Sequence, residues 1–112
     1  MGIHAQVDIE DLMVKVSDQL EEWTDKLIEL ADASAEVEAD YKLAYFRSIL
    51  HSQGKSEENR KAEANVANEP LFRAHLTMEA RVDATKQKIR SLQSRLDTLR
   101  SINANVRAQV GP

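Results

Sequence analysis

The stretch from Leu71 to Val110, LFRAHLTMEARVDATKQKIRSLQSRLDTLRSINANVRAQV, decides how the chain folds. His75, Val82, Ile89, Leu96, Asn103 and Val110 recur every seventh residue, and Met78, Thr85, Leu92, Leu99 and Val106 fall between them. Alternating steps of three and four mark a helix that buries one narrow stripe against another helix. The register holds over nearly five heptads, so a helix over about 70–108 needs a partner of similar length.

The first half of the chain offers that partner. Ile9, Val16, Trp23, Leu30, Val37 and Ala44 form one row, and Met13, Leu20, Leu27, Ser34 and Tyr41 the other. Asp8 reads as the N-cap, with Glu10 and Asp11 at the positive end of the helix dipole. The helix is expected over about 8–53, where Gly54 can take a left-handed conformation and stop it. At about 1.5 Å per residue such an element is about 65 Å long, too long for a compact bundle of this size.

Between the two helices, Ser56 is placed to cap a short polar segment from Glu57 to Ala67. Asn68-Glu69-Pro70 then breaks or kinks the chain, because proline lacks the amide hydrogen and suits the first turn of a new helix. Gly111-Pro112 reads as the final stop. The expected fold is all-α: an elongated antiparallel helical hairpin, or coiled coil, with a short helical segment in a polar tip at 54–69. It forms a single domain over 1–112.

A chain of 112 residues with 4% aromatic and 30% charged side chains builds only a small core, so self-association is expected. The segment Tyr41-Lys42-Leu43-Ala44-Tyr45-Phe46 is apolar around most of a helix, as when a helix is contacted on more than one side. Trp23, Tyr41, Tyr45, Phe46, Leu92, Leu96 and Leu99 are the candidates for register and oligomer contacts. Asn103 joins them, because a buried seam asparagine is satisfied only opposite another polar group and so fixes register. The alternative is a frayed end at which Asn103 and Asn105 are wet.

The net charge of −4 hides a polarity. Residues 1–40 carry twelve acids and two bases, whereas residues 80–112 carry seven bases and two acids. Asp11, Asp18, Asp25 and Asp32 recur on the outward side of the first helix as a solvated acidic row. Arg81, Lys88 and Arg95 occupy one flank of the last helix, Lys86, Arg100 and Arg107 the other, and Arg90 lies further out.

The facing flanks of the first helix are poor in acids, with Gln19, Lys26 and Ala33 on one side and Ser17, Thr24 and Ala31 on the other. Pairing about a midpoint near residue 61 sets Asp40 against Arg81, Glu38 against Lys86, and Lys26 against Arg95. Arg81, Lys86, Lys88, Arg90, Arg95 and Arg100 are therefore candidates for a nucleic-acid backbone, or for the acidic row of a neighbouring subunit. Trp23 near such a groove could stack a base.

Nothing points to an enzyme. The chain has no cysteine, and His4, His51 and His75 are too far apart for a metal motif. Gly2, Gly54 and Gly111 cannot form a phosphate loop, and no serine sits in a nucleophile elbow. No catalytic residue, metal, cofactor or small-molecule substrate is expected. Met1 to Ala5 shows no apolar run behind a basic segment, and no stretch is long and apolar enough for a membrane span. A cytoplasmic protein without membrane contact is expected.

The order of the chain carries one resemblance. A Tyr41-Lys42-x-Ala44-Tyr45 segment, a polar basic middle, and a helix ending Leu96-Asp97-x-Leu99-Arg100-Ser101-Ile102 look like small helical phage proteins encoded near recombination genes. Over residues 38–106 the pattern resembles the UvsY-type recombination mediators. That resemblance implies a homo-oligomeric ring, single-stranded DNA as ligand and a recombination protein as partner.

Overall fold

The computed structural model describes residues 3–110. It is all-α, with α1 (Ile3–His51), α2 (Glu57–Ala67) and α3 (Glu69–Val110), and no strand among the described residues. The two heptad rows coincide with the stripes that burial picks out. Every seam residue from Ile9 to Ala44 on α1 and from His75 to Val106 on α3 is buried or half-buried. The side chain of Val110 and the expected stop at Gly111-Pro112 lie outside the described residues.

The ends of α1 differ from the sequence expectation. The helix starts at Ile3, so Asp8 lies within it and is not its N-cap. No glycine or proline lies between Ile3 and Asp8, and Gln6 Nε2 donates across one turn to Glu10 Oε1 at 3.4 Å. At the other end α1 stops at His51, and no described glycine has a positive φ. Gly54 is needed for room instead. A Cβ there would lie 3.0 Å from the Arg60 backbone nitrogen and 3.2 Å from Arg60 Cγ. Ser52 Oγ accepts from the Gly54 amide at 3.0 Å and donates to Glu63, tying the turn to α2.

The segment after the turn has its expected bounds. Ser56 adopts extended backbone, and its hydroxyl accepts from the Asn59 amide at 3.1 Å. Ser56→Ala should lower the unfolding free energy by about 1 kcal/mol, read from thermal or urea melts followed by circular dichroism. An unchanged midpoint would show that this cap does not hold the helix in solution.

α2 and α3 are almost continuous. The Asn68 amide donates to Ala64 O at 3.1 Å and the Phe72 amide to Asn68 O at 2.9 Å, so four-residue spacing runs through the joint. The chain is interrupted only at Asn68 (φ −111°, ψ 18°), two residues before Pro70, which has no amide hydrogen to give. The expected helical segment of the polar tip is present, and the non-helical stretch between α1 and α2 is residues 52–56.

Packing divides the chain into two compact units, Met1–Leu27 with Ala84–Pro112, and Ile28–Asp83. The core of the first is Val16, Leu92, Leu96 and Leu99, against which Ile9, Met13, Leu20 and Trp23 pack. Arg107 Nη2 donates to Glu10 Oε1 at 3.1 Å within this unit.

In the second unit Tyr41 is the hub. Its ring lies 5.3 Å from Phe72, 5.8 Å from His75 and 6.1 Å from Tyr45, centroid to centroid. Ala64 is fully buried. The buried Asn68 side chain donates from Nδ2 to Ala64 O at 2.8 Å, Ser48 Oγ at 2.9 Å and Ala44 O at 3.5 Å, which fastens the α2–α3 joint to α1.

Candidate nucleic-acid interface

The basic residues singled out by the sequence divide between the units. Lys86, Lys88, Arg90, Arg95 and Arg100 belong to the first, and all five are exposed on α3. Arg81 belongs to the second and takes part in an interaction within the chain. Arg100 Nη1 reaches Asp97 Oδ1 at 3.5 Å, and Arg107 is held by Glu10. Among the described residues, Lys86, Lys88, Arg90 and Arg95 have no carboxylate within ion-pair distance.

Three acids of α1 and α2 are paired along their own helices. Glu22 pairs with Lys26 at 3.2 Å, Glu38 with Lys42 at 2.8 Å, and Glu57 with Lys61 at 3.0 Å, each one turn apart. The partner of Glu38 is therefore Lys42, where the midpoint argument put Lys86. A hydrogen bond from Lys42, reinforced by its charge, holds the Glu38 carboxyl below the ordinary carboxylate range and Lys42 above its own.

Trp23 is where several of these residues meet. Its half-buried indole packs against the core of the first unit, and two ammonium groups share it. Lys26 Nζ lies 4.4 Å and Lys88 Nζ 5.8 Å from the ring centroid. Each contact is favourable by about 0.5–1 kcal/mol at an exposed site, but two like charges beside one ring also repel. Lys26 thus shares the Trp23 ring with Lys88. Lys26 already has the Glu22 carboxylate at 3.2 Å, whereas Lys88 has no carboxylate within ion-pair distance among the described residues.

The oligomer candidates fare differently. Leu92, Leu96 and Leu99 are buried inside their own chain, in contact with α1. Tyr41 and Tyr45 are half-buried, whereas Phe46 sits edge-on to Tyr45 at 6.0 Å and is exposed, as are Leu43 and Leu50 beside it. His75 is a seam histidine, as its spacing implies. Its Nε2 meets Glu79 Oε1 at 3.1 Å, and its buried Nδ1 has no hydrogen-bond partner among the described residues.

Asn103 is buried at 6% exposure, which decides against a frayed end, and its Oδ1 has no partner among the described residues. A buried carbonyl without a donor costs about 1–3 kcal/mol. Asn103→Leu should therefore raise the unfolding free energy by about 1 kcal/mol or more in denaturant titrations. A loss of stability would show that the carbonyl finds a donor in solution.

Asn68 is the residue that sequence reasoning passed over, reading it as punctuation. The available signal was its spacing, one heptad ahead of His75, which puts it in the seam row. Among the described residues no cluster of three metal-ligating side chains occurs, and no helix is long and apolar enough to cross a membrane. Comparison of the chain with known protein families, curated proteins and solved structures finds no match.

Proposed function

We propose that the chain is a non-enzymatic helical adaptor that binds single-stranded nucleic acid along α3 and acts as a self-associating mediator in phage-type recombination. In this reading α1 and α3 form an antiparallel hairpin. The contacts of Glu10 with Arg107 in one unit, and of Tyr41 with Phe72 and His75 in the other, support that direction. The observation that carries the reading is the convergence of Lys26 and Lys88 on Trp23, with Lys86, Arg90 and Arg95 exposed on the same unit and, among the described residues, without a carboxylate within ion-pair distance. Phosphates suit the cations, and the indole tolerates any base, so little sequence preference is expected.

A labelled oligonucleotide titrated at two salt concentrations tests it. If about three phosphates are neutralised, affinity should fall about twentyfold between 50 and 200 mM salt. Absence of binding at low salt would overturn the proposal.

A second reading is an assembly coiled coil that binds only proteins, its bases meeting acidic rows of other subunits. The exposed Phe46, Leu43 and Leu50 at the end of α1 favour it, because such apolar groups serve a protein partner and not a phosphate chain.

A further inference from the structure

The outward face of the α2–α3 joint carries a second seam. Ala62, Val66, Glu69, Arg73, Leu76 and Ala80 follow one another in steps of four, three, four, three and four, and all are exposed. That is coiled-coil spacing on the side of the helix turned away from the α1 contacts. Val66 is 78% exposed and Leu76 46%, with Phe72 beside them at 41%. The stripe lies wholly within the second unit, and backbone bonding through Asn68 keeps it on one helical path.

The order of these residues is self-complementary. We propose that this stripe is the surface through which a second copy of the chain docks, α2–α3 against α2–α3 in antiparallel register about a twofold axis near Leu71. In that register Glu69 meets the partner subunit's Arg73, and Arg73 meets the partner subunit's Glu69. Val66 packs on the partner subunit's Leu76. The small pair of Ala62 and the partner subunit's Ala80 lets the helices approach closely. One step further out, Asn59 faces the partner subunit's Asp83, to whose carboxylate its amide can donate.

Reading the stripe backwards thus replaces acid by base and apolar by apolar at each step, which is what an isologous interface requires. A parallel pairing of two copies would instead set Glu69 against Glu69 and Arg73 against Arg73. Glu69 and Arg73 already pair within the helix at 2.8 Å, so the dimer converts exposed local pairs into a four-charge network at the axis.

The inference rests on the self-association part of the proposed function and is independent of nucleic acid. Its test uses two full-length variants, Glu69→Arg and Arg73→Glu, studied alone and mixed by sedimentation velocity at micromolar concentration. Wild type should sediment as a dimer or a multiple of one. Each variant alone, with like charges at the axis, should associate about tenfold more weakly or worse. The equimolar mixture should recover wild-type association, because each arginine then meets a glutamate.

Leu76→Glu in both variants should abolish that recovery while far-ultraviolet circular dichroism stays helical. A monomeric wild type would overturn both the self-association and this interface. Wild-type assembly that survives the single variants, or a mixture that fails to recover, would overturn the interface alone.

Discussion

Leu92→Ala should lower the unfolding free energy by about 2–5 kcal/mol, the largest loss expected from a single truncation in this chain. Leu92 is 3% exposed and stands at the centre of the Val16, Leu96 and Leu99 cluster. Truncation removes the transfer free energy of three carbons and leaves a void that helices held by long seams cannot easily collapse around. The share of the total is large. A domain of this length is held by about 5–15 kcal/mol, and among its described side chains only Val16 is large and completely buried.

Urea titration followed at 222 nm measures the effect, at fixed protein concentration because association would add to apparent stability. Leu43→Ala, at an exposed apolar position, is the control and should change stability by no more than about 0.5 kcal/mol. Equal losses for the two variants would mean that the seam is not the core.

The contrast between those two leucines shows what could be read without coordinates. Leu92 and Leu43 have the same side chain, and only the heptad phase separates them. That phase was legible because a two-helix seam is a repeating constraint, so each residue of the row is supported by those seven before and after it. The register between α1 and α3 was not legible in the same way. Sliding one helix by a heptad leaves every apolar contact formally satisfied, so the apolar pattern alone does not choose among the registers. Ser56 and the Glu57–Ala67 helix were readable from capping chemistry, but not how closely they follow α1.

The contacts of Asn68 with Ala44 and Ser48 arise from packing between segments 20 or more residues apart, and the room that Gly54 leaves for Arg60 from the way the turn closes on α2. A local reading sees there only a glycine and an asparagine that interrupt helices. The candidate site divides along the same line. Exposed bases on α3 follow from heptad position alone, whereas the Lys26–Trp23–Lys88 cluster depends on the register and emerged only with the fold.

Simultaneous reversal of that charge, Lys88→Glu with Arg90→Glu and Arg95→Glu, should reduce oligonucleotide affinity at least about a hundredfold at low salt. The expectation follows from counterion release. Three neutralised phosphates account for a salt slope of about −2 on logarithmic axes, and reversal both removes that gain and adds repulsion. The three positions are exposed and have no carboxylate partner among the described residues, so the fold should tolerate the change.

The informative comparison is Trp23→Leu, which keeps an apolar group on the core but removes the stacking surface. It should weaken binding about fivefold to a hundredfold while leaving the salt slope unchanged, because stacking is worth about 1–3 kcal/mol per base and releases no ions. Fluorescence anisotropy across a salt series separates the two losses. Should the triple reversal bind as tightly as wild type, the phosphate role of α3 fails, and these bases then belong to contacts with acidic protein surfaces, as the second reading has it.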